Sequence, residues 1–126
     1  MAEAEEPPLI LVADDVPANV ELLFDQLQTL GYRTIAATDG PSAVARCFEA
    51  MPELCILDVA MPGMSGPDLQ EELTQRCQKI PIVFISAHGD RTVRPRLVAR
   101  GAVDCLFKPF SEAALLDALN AALRMR

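Results

Sequence analysis

The chain is poor in the features that nucleic-acid binding, membrane insertion and secretion require. Its 11 Lys and Arg residues are outnumbered by 18 Asp and Glu residues, and the net charge of −7 argues against nonspecific binding to nucleic acid or to anionic membranes. The apolar runs are far too short to cross a bilayer, and the acidic opening MAEAEEPP has no apolar segment that would indicate a signal peptide. We therefore expect a cytoplasmic protein that binds no nucleic acid directly and does not enter the membrane.

Cysteine pairs with metal-binding spacing are also missing. The four cysteines are Cys47, Cys55, Cys77 and Cys105. They form no CxxC motif, and Cys55 and Cys105 lie inside apolar strand patterns. Free cysteine is among the most frequently buried residue types, and disulfides are rare in the cytosol. We interpret all four as reduced thiols of a protein core.

What the chain does contain is an alternation of apolar runs with helical patterns. A length of 126 residues fits one domain, which we place at residues 9–126, after a disordered acidic tail over residues 1–8. Five short apolar runs predict strands, namely LILVA, RTIAA, LCIL, PIVFI and VDCLF. A helical pattern follows each of them, and this alternation is typical of βαβ units in an α/β fold with a parallel sheet. We thus predict five strands and five helices.

Four of these strands end at polar residues. The first runs into Asp14 and Asp15, the third into Asp58, the fourth into Ser86 and the fifth into Lys108. Because parallel strands align their carboxyl ends, these side chains should meet at one edge of the sheet, where open α/β folds bind ligands. Carboxylates crowded in this way repel one another unless charges of opposite sign balance them, so we expect a divalent cation and an anionic ligand there.

Taken in order, these strand endings resemble those of response-regulator receiver domains of two-component signalling. The match extends over residues 9–124 and includes the acidic pair, Asp58 in LDVAMPGMSG, Ser86, and Lys108 before Pro109. The segments SAHGD and GAVDCLFKPF are most similar to receivers of the nitrogen-fixation regulator subclass. The resemblance implies a flavodoxin-like fold, in which a five-stranded parallel sheet of order 2-1-3-4-5 carries helices on both faces.

The resemblance also implies roles for the carboxylates. Asp58 would accept a phosphoryl group from the phosphohistidine of a sensor histidine kinase or of a histidine phosphotransfer protein. Mg²⁺, or Mn²⁺ in its place, would be bound directly by Asp15, Asp58 and the backbone carbonyl of Ala60, and through water by Asp14. Physical chemistry agrees, because a carboxylate attacks an anionic phosphoryl group poorly unless their repulsion is cancelled, and Mg²⁺ prefers oxygen ligands.

Further positions are expected to bind the phosphoryl group and to respond to it. By the resemblance, Lys108 pairs with the phosphoryl oxygens, and Ser86 with the adjacent Ala87 forms the phosphoryl-binding and switch segment. A contact that Ser86 makes only after phosphorylation would bias a two-state equilibrium and change affinity for a partner or for a second copy of the chain. Ala60 and His88 are candidates for tuning hydrolysis, although His88 is more simply interpreted as a solvated loop residue. By the resemblance, the protein would catalyse its own phosphorylation and slow dephosphorylation and would not be a turnover enzyme.

One position departs from the family pattern at the fifth strand. Three residues before Lys108, where receivers usually carry Tyr or Phe, this chain has Cys105. In receivers the aromatic ring swings inward when the hydroxyl residue contacts the phosphoryl group, and a thiol is too small to fill a pocket in that way. We therefore expect phosphorylation without the usual aromatic switch.

A second departure is a basic stretch before the fifth strand. Its arginines are Arg91, Arg94, Arg96 and Arg100. They form a candidate surface for an acidic partner or for a dimer. Pro95 lies among them, and proline in a helix interior removes a hydrogen bond. We expect helix 4 to begin late, with Pro95 in its first turn, after a longer loop that follows His88.

The residues alone leave other interpretations open. Asp14 and Asp15 could cap the first helix, Asp58 could start a turn, and Ser86 could cap a later helix. A haloacid-dehalogenase-like phosphatase uses similar groups, but its DxD motif is absent here because no aspartate follows Asp15 at position 16. A degenerate receiver that acts as an unphosphorylated interaction module is another alternative, against which intact Asp58 and Lys108 argue. Flavin binding is disfavoured, since aromatic residues make up only 5% of the chain.

Overall fold

The computed structural model describes residues 6–61, 63–75, 80–87 and 92–124, and these contain five strands and five helices in alternation. The strands are β1 Leu9–Ala13, β2 Arg33–Ala37, β3 Leu54–Asp58, β4 Ile82–Ser86 and β5 Asp104–Phe107. The helices are α1 Pro17–Thr29, α2 Gly40–Ala50, α3 Gly66–Gln75, α4 Val93–Ala99 and α5 Glu112–Arg124. All strand pairs are parallel and the order is β2-β1-β3-β4-β5, which confirms the predicted flavodoxin-like topology.

Helices cover both faces of this sheet. Because successive strand residues point to opposite sides, Leu11 and Phe84 pack toward α2, α3 and α4, whereas Ile10 and Val83 pack toward α1 and α5. All four side chains are fully buried. Burial on both faces explains why the strands are apolar almost without interruption rather than alternating with polar residues.

Local signals set the ends of several helices. Pro17 lies in the first turn of α1 and Pro41 in that of α2, where the missing N–H of proline costs no helical hydrogen bond. The Asp39 side chain caps α2 by accepting a hydrogen bond from the Ser42 N–H at 2.8 Å. Gly31 follows α1 with a φ of 95°, a conformation that glycine adopts without steric cost. No helix within the described ranges is long and apolar enough to cross a membrane.

The fourth helix begins where the sequence predicts a late start. It runs from Val93 to Ala99, with Thr92 as its N-cap residue and Pro95 in its first turn. The predicted longer loop after His88 falls on residues 88–91, which lie outside the described residues.

Three of the four cysteines belong to the core. Cys47, Cys55 and Cys105 are buried and form no disulfide, and the Sγ atoms of Cys47 and Cys55 lie 3.7 Å apart. The prediction of free core thiols is therefore confirmed for these three. Cys77 lies outside the described residues.

The predicted acidic tail over residues 1–8 is described only from Glu6 onward. The Glu6 carboxylate lies 3.0 Å from a guanidinium nitrogen of Arg33, and the Arg33 Nε donates to the Pro7 carbonyl at 2.8 Å. These contacts place residues 6–7 beside the start of β2. Disorder of the tail stays a prediction.

Candidate functional site

Three carboxylates meet at the carboxyl ends of β1 and β3. One side-chain oxygen from each of Asp14, Asp15 and Asp58 can be chosen so that all lie within 4.8 Å of one another. The pairing register explains this proximity, because Ala13 at the end of β1 is opposite Leu57, the residue before Asp58. The structure thus brings together the residues that the strand endings predict to be neighbours.

Asp14 is the innermost of the three carboxylates. Its side chain is only 3% exposed, and its Oδ2 accepts from the Lys108 Nζ at 3.3 Å. Its Oδ1 accepts from the Val16 N–H at 2.9 Å. The N-cap residue of α1 is Val16, which has no capping side chain, so neither Asp14 nor Asp15 serves as the helix cap. Asp14 instead follows β1 directly and contacts the ammonium group of Lys108, which follows β5.

Asp58 is held in a partly buried and negatively charged position. Burial is the largest cause that raises its pKa to about 6, and Asp14 and Asp15 raise this pKa further through charge repulsion. The Ala60 N–H, which donates to Asp58 Oδ1 at 3.3 Å, and the charge of Lys108 act in the opposite direction. Without a further counter-charge, the ionised Asp58 carboxylate is therefore destabilised relative to water.

Lys108 reaches the cluster from the far side of the sheet. It follows the end of β5, and its backbone N–H donates to the Ser86 carbonyl at 2.9 Å, which ties the ends of β4 and β5 together. The peptide bond from Lys108 to Pro109 is cis, which the sequence left undetermined.

These strand ends surround a cleft of about 440 Å³. Its described lining residues are Asp15, Val16, Asn19, Asp58, Val59, Ala60, Ser86, Ala87 and Lys108. The sequence-predicted residues Asp15, Asp58, Ser86 and Lys108 therefore share one opening. Sequence reasoning missed Asn19, whose position in the first turn of α1, four residues after Asp15, was the signal that could have found it.

The loop after β3 is fixed close to the cleft. Gly66 begins α3, and a Cβ atom placed there would come within 2.5 Å of the Asp58 carbonyl oxygen and 2.6 Å of the Phe84 ring, so only glycine fits. Ser65 and Asp68 form a reciprocal capping box, in which each side chain accepts from the backbone N–H of the other. Met61 is buried and belongs to the same core as Phe84, so its side chain packs in the interior.

The donor chemistry of the carboxylate cluster fits a divalent cation. Asp14, Asp15 and Asp58 offer only oxygen atoms, and hard cations such as Mg²⁺ and Mn²⁺ prefer oxygen ligands. Ala60 also lines the cleft, beside Asp58. A cation of charge +2 would offset the mutual repulsion that raises the pKa of Asp58. The residues present are therefore compatible with a magnesium site.

Cys105 lies away from this opening. It is opposite Phe84 in the β4–β5 pairing, it is 2% exposed, and it packs in the layer that contains Leu97. Burial and the neighbouring Asp104 carboxylate raise the pKa of the Cys105 thiol to about 11, against the smaller effect of Arg94. The residue at the predicted atypical position is thus a neutral, buried thiol.

The described arginines of the basic stretch have different partners within the chain. The Arg94 Nε lies 2.7 Å from Asp104 Oδ1, so this guanidinium is engaged within the chain. The Arg96 Nε donates weakly to the Thr92 carbonyl at 3.4 Å. Arg91 and His88, both singled out from the sequence, lie outside the described residues.

A second groove of about 260 Å³ adjoins the cleft and was not foreseen from the sequence. Its described lining residues are Asn19, Leu22, Leu23, Gln26, Lys108, Pro109 and Phe110. Leu22 is 62% exposed and Val16 is 45% exposed, although both are apolar. The groove shares Asn19 and Lys108 with the cleft, so an apolar surface adjoins the carboxylate site.

Comparisons with known proteins identify one family. A family model described as the response regulator receiver domain matches residues 10–120. The chain is 34% identical over 121 residues to Response regulator protein TmoT of Ectopseudomonas mendocina, a match that covers 96% of this chain and 55% of that protein. It is also 34% identical over 120 residues to Nodulation protein W of Bradyrhizobium diazoefficiens, covering 95% of this chain and 53% of that protein. The chain therefore spans about half the length of these relatives.

A solved structure agrees with these sequence matches. The crystal structure of the receiver domain of NtrX from Brucella abortus superposes with a TM-score of 0.86 at 32% identity, covering 93% of this chain and 99% of that one. The family predicted from the strand endings is confirmed, and a nodulation protein among the relatives agrees with the predicted subclass.

Proposed function

We propose that Asp58 accepts a phosphoryl group from a phosphohistidine and that the modified domain changes its affinity for partners. The proposal starts from the family, because this chain belongs to the response-regulator receiver domains. The observation that carries the proposal is the shared opening in which Asp58 faces a cation, Lys108, and lies beside two further carboxylates. Receiver domains generally bind Mg²⁺, work with a histidine kinase and are not turnover enzymes.

The carboxylates would divide the work of binding the metal and accepting the phosphoryl group. Asp15 and Asp58, with the backbone carbonyl of Ala60, are the proposed direct ligands, and Asp14 acts through water. When bound, Mg²⁺ supplies positive charge that lowers the repulsion between Asp58 and an incoming phosphoryl group. The side chain of Asp14 is held by the Val16 N–H and by Lys108, which keeps its negative charge close to the cation site.

Lys108 and Ser86 would act on the phosphoryl oxygens. Lys108 pairs with Asp14 at 3.3 Å before phosphorylation, and its flexible ammonium group can turn from that carboxylate to the new anion. Ser86 lines the same cleft as Asp58, and its hydroxyl would donate to a phosphoryl oxygen on Asp58 after phosphorylation. Ala87 follows Ser86 at the mouth, where a displacement of the chain would be transmitted toward α4. Ala60 and His88 remain candidates for tuning hydrolysis.

The phosphodonor would dock on the groove formed by α1 and the start of the β5–α5 loop. A phosphohistidine must enter the cleft to reach Asp58, and the exposed Leu22 adjoins this entrance. Exposed apolar patches beside polar sites are typical of protein interfaces. Replacement of Leu22 by Asp should slow transfer from a phosphorylated histidine phosphotransfer domain by about tenfold while leaving transfer from acetyl phosphate unchanged. Equal rates with the protein donor would rule out this docking surface.

A mass measurement tests the central step. The protein is incubated with Mg²⁺ and either acetyl phosphate or phosphoramidate, and its intact mass is followed with time. The wild type should gain one phosphoryl group that is lost under alkaline conditions, whereas Asp58→Asn should gain none, because the amide is not a nucleophile of this kind. A wild type that gains no labile phosphoryl group would contradict the mechanism and favour an unphosphorylated interaction module.

The same samples address the remaining parts of the proposal. Sustained turnover of a phosphate ester would favour a phosphatase, although Asp58 on β3, with the acidic pair on β1, is unlike the DxD arrangement on one strand. A phosphorylation-dependent homodimer predicts a doubled mass in light scattering only after incubation with the phosphodonor. A constant monomer mass would remove the dimer and leave phosphorylation intact. The cytoplasmic location stays a prediction.

A further inference from the structure

A groove between α3 and α4 lies beside the phosphoryl site and has no role in the mechanism above. Its volume is about 440 Å³. Apolar side chains of Val59, Pro67, Val93 and Leu97 line it, together with the guanidinium-bearing residues Arg96 and Arg100. The groove thus combines an apolar floor with two positive charges, in a chain whose net charge is −7.

These two arginines are available to a ligand. Arg96 and Arg100 are four residues apart on α4 and its C-terminal cap, so they stand on one side of the helix. Both are exposed, and no carboxylate among the described residues forms an ion pair with either. Arg94 differs, since Asp104 already neutralises it. Of the three described arginines in this stretch, Arg94 would have to give up its ion pair with Asp104 to bind a carboxylate of a partner. Arg96 and Arg100 could bind such a carboxylate without breaking an ion pair to a described residue.

The shape of the groove favours an elongated ligand. A second section of about 350 Å³ continues from Pro67 and Arg100 along α3, past Gln70 and Thr74. Gln70 is only 6% exposed, and its Nε2 donates to the Arg100 carbonyl at 3.3 Å, which holds α3 and the end of α4 at a fixed spacing. Glu71 lines this outer section, so carboxylates of a ligand would be attracted to the inner section instead.

We propose that the α3–α4 groove binds an acidic amphipathic helix of a partner protein. An apolar residue of that helix would pack against Leu97 and Val93, and carboxylates one helical turn apart would pair with Arg96 and Arg100. Helices commonly bind grooves through apolar residues at such spacing, and arginine is enriched among the residues that dominate binding energy. Binding is proposed for the unmodified protein, so its failure would not bear on phosphorylation of Asp58.

The test uses a fluorescein-labelled helical peptide with Leu residues on one face and Glu residues beside them. Anisotropy should give a Kd on the order of 100 μM or tighter, as expected for a short amphipathic helix in a shallow groove. The double variant Arg96→Glu, Arg100→Glu should weaken binding by about tenfold or more. The single variant Arg124→Glu on α5 changes charge away from the groove and should stay within about twofold of wild type. Circular dichroism verifies that each variant is folded.

Changes in amide chemical shifts on peptide addition locate the binding site independently, and the largest changes are expected at Val59, Val93 and Leu97. Four outcomes with the peptide would overturn the proposal. They are no binding at about 1 mM peptide, equal binding of a peptide with Lys in place of Glu, an equal loss in Arg124→Glu, and shifts confined to α1. Self-association that Arg96→Glu, Arg100→Glu abolishes, without peptide binding, would assign the groove to a second copy of this chain and would also overturn it.

Discussion

Two parts of one sheet and its helices behave differently in this protein. The β1–β3 part gathers Asp14, Asp15 and Asp58 within 4.8 Å and depends on opposite charge for its stability. The part formed by β4, α4 and β5 carries a buried neutral thiol, Cys105, and an exposed ion pair. The first part is governed by electrostatics and the second by packing, although the same parallel strands form both.

The two parts differ in their proposed roles, since the carboxylate cluster would accept the phosphoryl group and the region of β4, α4 and β5 would transmit the signal. Asp15, Asp58, Ser86 and Lys108, which are proposed to bind or accept the phosphoryl group, line one opening, and Lys108 connects the two parts because β5 carries it to Asp14. The position where receivers usually place an aromatic ring holds a side chain that is already buried and does not line the cleft. We therefore expect that phosphorylation and its transmission can be altered independently.

Lys108→Met should have the largest effect, because it removes the positive charge that lies beside the carboxylates at the ends of β1 and β3. Phosphoryl incorporation from acetyl phosphate should fall by about 100-fold. The free energy of unfolding should fall by about 1–3 kcal/mol, since the buried Asp14 carboxylate loses its charged partner. Intact-mass kinetics and urea denaturation measure the two quantities. Lys108→Arg keeps the charge and should retain more of both. A Met variant as reactive as wild type would show that the cation is dispensable.

Asp58→Asn should stabilise the metal-free protein at neutral pH. The pKa of folded Asp58, about 6, lies above its ordinary value, so the folded state binds more protons than the unfolded chain between about pH 4 and pH 6. Wild-type stability is therefore lost as pH rises through that range. In EDTA at pH 7.5 the variant should be more stable by about 1–2 kcal/mol, a figure reduced for partial solvent screening, and the difference should vanish near pH 4.

Magnesium provides the control for this titration. Added Mg²⁺ should stabilise the wild type, because it offsets the repulsion among the carboxylates, and should stabilise Asp58→Asn much less. Urea denaturation at several pH values, with EDTA or Mg²⁺, measures these differences. A variant whose advantage does not change between pH 4 and pH 7.5 would contradict the electrostatic account of Asp58.

Cys105→Ala should affect packing without affecting the chemistry. Loss of a buried sulfur atom should cost about 1 kcal/mol of stability, whereas the rate of phosphorylation should remain within about twofold of wild type. Cys105→Phe places a larger side chain at the same buried position and should lower the free energy of unfolding by about 1–3 kcal/mol, because a larger group must displace its neighbours. Thermal unfolding and mass kinetics measure both. A large loss of phosphorylation in the Ala variant would show that the two parts are more tightly connected than the structure indicates.

Arg94→Gln should have the smallest effect. The Arg94 side chain is 55% exposed, and the ion pair that it forms with Asp104 is screened by solvent, so the expected loss of stability is below about 0.5 kcal/mol. Arg96→Gln, which breaks no described ion pair, should behave alike. A loss above about 2 kcal/mol in Arg94→Gln alone would show that this pair holds α4 on β5.

The fold was predictable because its signals are local and repeated. Apolar runs as in LILVA and PIVFI, separated by helices that begin with proline, indicate parallel strands, and parallel strands place Asp58 and Ser86 at the same edge. The late start of α4 also follows from one residue, Pro95, whose missing N–H is tolerated only in a first turn.

Pairings between distant residues were less accessible from the sequence. The adjacent residues Asp14 and Asp15 look equivalent along the chain, yet only Asp14 is buried against Lys108, which is 94 residues away. Arg94 and Arg96 look equivalent too, yet one is neutralised by Asp104 and the other borders a groove. Such differences depend on side-chain direction and on spacing between elements, which residue type does not encode.

Local patterns in the sequence are enough to predict the alternating α/β architecture, the strand ends that carry the carboxylates and the lysine, and the replacement of an aromatic ring by Cys105. The burial of Asp14, the pairing of Arg94 with Asp104, and the apolar grooves beside the cleft and between α3 and α4 become visible only in the folded domain. Those outcomes depend on distances between side chains that are far apart in the chain, and packing of the whole domain sets them.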